Sequence, residues 1–199
     1  MLTKVIHYPH CTRLAEFLIS MATVISRYIF LPILHMLCLN KQKEEFALNW
    51  TQKEKNFLKD LQNEEKLCVQ KYHKAAEAAC DPTLRHMLEK LENAEQNHCD
   101  TVAQMLDGKI PSQNTKQQNG RTLSAKQMKS NATRAQKQSD SYLLNDLLAT
   151  EKYVSGVYNT AVFEFNDPAA RQVLSAIQQQ EQGHGKELAA YMQANGMSC

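Results

Sequence analysis

The sequence repeats itself at an offset of 86 residues, with residues 60–106 laid over residues 146–192. Fourteen of the 47 paired positions are identical, against roughly three expected between unrelated segments of ordinary composition. The identities are Asp60/Asp146, Leu61/Leu147, Glu65/Glu151, Lys66/Lys152, Tyr72/Tyr158, Ala75/Ala161, Asp81/Asp167, Pro82/Pro168, Arg85/Arg171, Leu88/Leu174, Glu95/Glu181, Gln96/Gln182, His98/His184 and Ala103/Ala189. A repeat of this length restricts the fold to two similar units packed on each other, because each unit alone leaves its apolar face in water.

Both units read as helical hairpins. Steps of three and four residues connect Leu58, Leu61, Glu65, Cys68, Tyr72 and Ala75, then Leu84, Leu88, Leu91, Glu95, His98, Val102 and Met105. The second unit repeats the pattern with Leu144, Leu147, Glu151, Val154, Tyr158 and Ala161, then Leu174, Ile177, Glu181, His184, Leu188 and Tyr191. Each series is the stripe of an amphipathic helix. An Asp-Pro pair, Asp81-Pro82 or Asp167-Pro168, forms each corner, with Asp as the cap and Pro at the first helical position. Only six Gly and five Pro occur, and no run alternates as a strand would.

Residues 107–139, rich in Gln, Lys, Asn and Ser, read as a solvated linker; residues 126–138 have scope for a helical turn or two but no buried face. The linker is long enough to run the length of a bundle. The expected fold is therefore all-α, a ferritin-like four-helix bundle over residues 51–196, with hairpins 51–106 and 140–196 joined by one crossover. "TQKE", Thr51 to Glu54, is a capping box that opens the first helix.

Carboxylates and imidazoles interrupt these apolar stripes. Glu65 lies sixteen residues before Asp81 and Glu95 fourteen after it, and Glu151 and Glu181 repeat this about Asp167. Each pair therefore stands at about the same height on antiparallel neighbours. His98 and His184 complete two Glu-x-x-His motifs on the same inward faces. Four carboxylates in an apolar core need neutralising, since an unpaired buried charge costs several kcal/mol. Two divalent cations would do so, and an oxygen-rich set with two imidazoles suits iron or manganese. Glu65, Glu95, His98, Glu151, Glu181 and His184 match the general pattern of di-iron and di-manganese carboxylate bundles, and are the expected metal ligands. No separate catalytic residue is singled out. Tyr72 and Tyr158, seven residues beyond Glu65 and Glu151, are expected as core residues with satisfied hydroxyls. The bland alternative is an inherited constellation that binds nothing, its charges protonated or paired.

A net charge of +2, from 23 basic and 21 acidic residues, gives no pull toward nucleic acid or a membrane surface. The six cysteines contain no Cys-x-x-Cys pair, so neither a zinc site nor a redox disulfide motif is indicated. Cys199, at the end of the chain, is open to intermolecular cross-linking if that end frays.

Residues 1–47 stand apart. Residues 14–39 are the most apolar part of the chain, but Arg27 and Pro32 interrupt them, and a mid-span Arg costs about 2.5 to 3.5 kcal/mol on insertion. Membrane association is thus not expected unless this stretch is genuinely translated as an anchor or signal. "KEEFAL", Lys43 to Leu48, can be encoded by a purine-rich tract followed by a TTG codon, a bacterial translation start. On that reading Leu48 is the initiator and residues 1–47 are translated leader.

The second hairpin resembles a known family. Residues 146–196, with their Asp-x-x-x-x-Glu-Lys opening, a turn containing Pro168 followed by Arg171, and the closing Gly196, are similar to the coat F domain of spore coat proteins from endospore-forming Firmicutes, a branch of the ferritin-like superfamily. The aromatic residue usual after the closing glycine is missing, with Met197 and Ser198 standing there. The resemblance implies synthesis in the mother cell, deposition in the spore coat and a structural or assembly role among other coat proteins, and it does not itself imply an enzymatic activity. The metal ligands come from the wider ferritin-like pattern rather than from the coat family. The favoured expectation is a structural coat protein, with a homo-oligomer left open. The alternative is a di-metal oxidoreductase acting on peroxide or dioxygen, although no rubredoxin-like cysteine set is present to deliver electrons.

Overall fold

In the computed structural model, the structure describes residues 49–111 and 126–197, so the apolar segment 14–39 and the proposed start at Leu48 lie outside the described residues. Four helices are placed where the caps put them. Helix α1 (Gln52–Ala78) begins at the Thr51–Glu54 capping box, in which each side chain takes the other's backbone N–H. Helix α2 (Pro82–Leu106) starts after Asp81, whose carboxylate accepts the Thr83 N–H at 3.1 Å. Helix α4 (Pro168–Ala194) starts after Asp167, which accepts the Ala170 N–H at 2.8 Å. Both corners therefore turn on Asp-Pro, as a cap with a preset φ dictates.

The repeated arginines close the corners from the other side. Arg85 donates to the carbonyls of Ala76 and Ala79 at the end of α1, and Arg171 to that of Val162 near the end of helix α3. Carbonyls of a last helical turn lack intrahelical partners, and each guanidinium supplies them.

Helix α3 (Arg134–Glu164) starts six residues earlier than hairpin 140–196 implies, inside the stretch read as linker. The local reason is a second capping box, Thr133 with Gln136. Met128, also in that stretch, is buried against the bundle, and its carbonyl accepts from Asn195. The expectation of no buried face over residues 126–138 is thus corrected at Met128.

Helix α1 packs on α2 and α3, and α4 on α3 and α2. Trp50 donates its indole N–H to the Met105 carbonyl and stacks edge-on against Phe165, with centroids 5.4 Å apart. The start of α1 thus meets the ends of α2 and α3. At the opposite end, Asp140 near the start of α3 accepts the Cys80 N–H at 2.9 Å, and Tyr191 donates to Asp81. Chain leaving α2 therefore re-enters at the far end of the bundle. This is the one-crossover, ferritin-like topology. Among the described residues, no helix is long and apolar enough to cross a membrane.

The apolar core is divided. One cluster gathers Leu84, Leu88, Leu91, Leu144, Leu147 and Leu188 with Tyr72 and Tyr191. The other gathers Leu58, Leu61, Val102, Val154, Leu174 and Ile177 with Tyr158 and Phe165. Between them lies a polar layer.

Candidate metal centre

That layer consists of the six residues singled out from the sequence, all buried. Each helix contributes through its apolar stripe: Glu65 from α1, Glu95 and His98 from α2, Glu151 from α3, Glu181 and His184 from α4. His98 Nδ1 lies 2.9 Å from Glu181, 3.4 Å from Glu95 and 3.8 Å from Glu65. His184 Nδ1 lies 2.6 Å from Glu95, 3.5 Å from Glu181 and 3.8 Å from Glu151. The two sets repeat each other, and the rings stand nearly parallel with centroids 5.5 Å apart.

Two groups with ligand atoms close enough to hold a cation emerge: Glu65, Glu95, His98 and Glu181, and Glu95, Glu151, Glu181 and His184. Glu95 and Glu181 belong to both. Each group offers three carboxylates and one imidazole, a donor set suited to iron or manganese. The hydrogen-bond inventory fits such an occupant. Among the described residues nine buried side-chain atoms make no hydrogen bond of good geometry, and all except Asp140 Oδ2 belong to this layer, where they meet only one another as ion pairs. They are one oxygen each of Glu65 and Glu151, both oxygens of Glu95 and Glu181, and Nδ1 of each histidine. Buried polar atoms are seldom left unpaired, and here they converge.

In the absence of a cation, protons must balance the charge. Burial, reinforced by Glu181, pushes Glu65 up to about 9, and burial with Glu181 and Glu95 pushes Glu151 up to about 10. Burial acts the same way on Glu95 and Glu181, but the two imidazoles outweigh it and hold both carboxyls below their ordinary value. Burial would lower the histidines; Glu181 and Glu95 overcome it, raising His98 and taking His184 up to about 10. At neutral pH two carboxylates then face two imidazolium rings beside two neutral carboxyls. The four protons involved carry the charge of two divalent cations, so one set can replace the other without a net change of buried charge.

A second ring of residues orients the first. Tyr72 donates to Glu151, and Tyr158 to Glu65, so each hairpin's tyrosine holds the other hairpin's glutamate. Burial and the nearby carboxylates push both hydroxyls well above their ordinary range, which keeps them donors. The expectation of satisfied core tyrosines holds, with ligand-type glutamates as the partners. His98 Nε2 meets Gln180 Oε1 at 3.1 Å. Sequence reasoning missed Gln180, although its place one residue before Glu181 was the available signal. Partners of this kind fix the orientation of a metal-binding imidazole.

Residues 139–198 match the Coat F domain. The Coat F segment covers most of α3 and all of α4, and so includes Glu151, Glu181 and His184 but none of the ligand-type residues of the first hairpin. The solved structure of a two-domain protein from Anabaena variabilis ATCC 29413, containing DJ-1/ThiJ/PfpI-like and ferritin-like domains, superposes with a TM-score of 0.53 at 15% identity. The alignment covers 73% of this chain and 38% of that one. At this identity the likeness is one of fold, which is ferritin-like. No curated protein matches the sequence.

Proposed function

We propose that the protein is a spore coat component whose ferritin-like bundle is built around two divalent cations, iron or manganese. The observation that carries the metal reading is the convergence of four buried carboxylates and two buried imidazoles, whose inward atoms make no well-formed hydrogen bond, into two groups sharing Glu95 and Glu181. The Coat F match supports the location. Synthesis in the mother cell and association with other coat proteins or further copies of the chain belong to the same proposal. In this reading Glu65 and His98 would hold one cation and Glu151 and His184 the other, with Glu95 and Glu181, which belong to both groups, available to either. The resemblance of the two halves in sequence and geometry supports their origin by duplication.

Elemental analysis of chain purified without added metal tests the centre, with about two equivalents of iron or manganese expected. Fractionation of a sporulating culture tests the location. Equal abundance in vegetative cells that never sporulate would count against a coat role.

A second reading, a di-metal oxidoreductase, is favoured by a surface depression lined by Glu151 and Glu181. Iron or manganese bound there would supply redox chemistry toward dioxygen or peroxide. The chain's own part would be to hold Glu151 through Tyr72, hold Glu65 through Tyr158, and exclude bulk water with the two apolar clusters. Turnover of hydrogen peroxide by the metal-loaded chain, absent in a Glu95→Ala variant, is the outcome this second reading expects.

A further inference from the structure

The two halves of the polar layer are similar in their ligands and different in what surrounds them. On α4, Gly185 stands one residue after His184, and a Cβ placed there would meet Leu148 at 3.5 Å and Glu151 at 3.7 Å. A depression of about 520 Å³ opens at this point, lined by Glu151, Glu181, Leu148, Lys152, Ser155 and Gly185 among others. At the 86-residue offset the place of Gly185 is taken by Cys99, whose side chain is buried. Exposure follows the same division. His184 is 8% exposed against 3% for His98, and Glu151 3% against 0% for Glu65. The outer nitrogens differ too: Gln180 accepts at His98 Nε2, whereas the position equivalent to Gln180 on α2 is Ala94, which has no acceptor to offer His184.

We propose that the centre is functionally one-sided. The Glu65/His98 half is sealed by Cys99 and Gln180 and holds its cation as part of the structure. The Glu151/His184 half opens through a mouth over Gly185, exchanges its cation with solvent, and admits small anions of azide or peroxide size. Lys152 at the rim adds a positive charge favourable to such ligands. Gly185 is the gate because a side chain larger than that of Ala would extend from a Cβ position already in contact with Leu148 and the Glu151 Cβ. Gln180 is a positioning residue for His98. This inference rests on the di-metal reading above.

The test uses the full chain loaded with Co²⁺, followed by its visible absorption. Two Co²⁺ per chain, leaving in a fast and a slow phase when a chelator is added, is the expected result. Azide should change the spectrum of the ion in the fast phase only. Gly185→Val should slow the fast phase about tenfold, Cys99→Gly should quicken the slow phase, and Gln180→Ala should do the same by about tenfold. Gly185→Ala, whose Cβ fits at ordinary contact distances, controls for folding and should leave two ions bound. Two ions released in a single phase, or phases indifferent to Gly185→Val and Cys99→Gly, would overturn the one-sided centre while the di-metal reading stands. A chain that takes up no Co²⁺ overturns both.

Discussion

The apolar clusters at the two ends of the bundle and the polar layer between them are built on the same four helical stripes, yet they act on stability in opposite senses. Leu61 and Leu174 on one side, and Leu88 and Leu147 on the other, bury apolar surface that needs no partner. The six residues between them bury charge that must be balanced by protons or cations. The ends bury surface that favours the fold outright, whereas the middle carries a cost in stability that protons or cations must offset.

Of the measurements that test this contrast, pH dependence should give the largest effect. In the cation-free layer Glu65 is raised to about 9, Glu151 and His184 to about 10, and His98 also upward. All four hold protons at neutral pH, and two must leave for each cation bound. Affinity per cation should therefore rise about a hundredfold per pH unit, or about ten-thousandfold between pH 6 and pH 8, while both lie below these raised values. Isothermal titration with Mn²⁺ in buffers of different ionisation enthalpy counts the protons directly. A pH-independent affinity would contradict the proton-for-cation exchange.

Next in size is the stabilisation by metal itself. At a thousandfold excess over Kd the bundle should gain about 4 kcal/mol, removable by a chelator and largely lost in Glu95→Ala, since Glu95 belongs to both groups. Equal melting temperatures with iron, manganese or chelator would reduce the layer to an inherited constellation.

Substitutions at the ends and in the middle should then differ in sign. Leu174→Ala, at a fully buried site, should cost about 3 kcal/mol in denaturant unfolding. Replacing Glu65, Glu95, His98, Glu151, Glu181 and His184 together by Leu or Met should instead stabilise the cation-free chain, by about 2 kcal/mol, and make it indifferent to metal. A six-fold variant less stable than the cation-free parent would mean that the polar layer contributes packing of its own. The smallest effect expected is at the tyrosines. Tyr158→Phe removes the donor to Glu65 and should cost about 1 kcal/mol, with Tyr72→Phe matching it at Glu151.

The amino-acid order alone makes part of this architecture legible. The four stripes can be read because helical phase depends only on spacing along one helix, and each residue assigned to a stripe is buried. The Asp-Pro corners and the Thr51 capping box can be read because caps act within three or four residues. The start of the third helix is displaced by six residues because Arg134 to Ser139 include no large apolar residue, and the deciding signal, Thr133 with Gln136, lies in a segment whose composition suggests a linker. Asp140 carries no signal either, since its partner is the backbone of Cys80.

Spacing along the chain suffices to put six ligand-type residues at one height and face them inward, because rise and phase are local properties of a helix. How those six divide is a matter of tertiary structure. That Glu95 and Glu181 are shared, that Tyr72 and Tyr158 reach across to the opposite hairpin, that Gln180 meets His98, and that Gly185 leaves one side open are all distances between helices. Those distances are set by how the side chains of Leu, Val, Ile and Phe interlock in the clusters above and below the layer, between residues far apart in the chain, and close packing fixes them only when all four helices are in place.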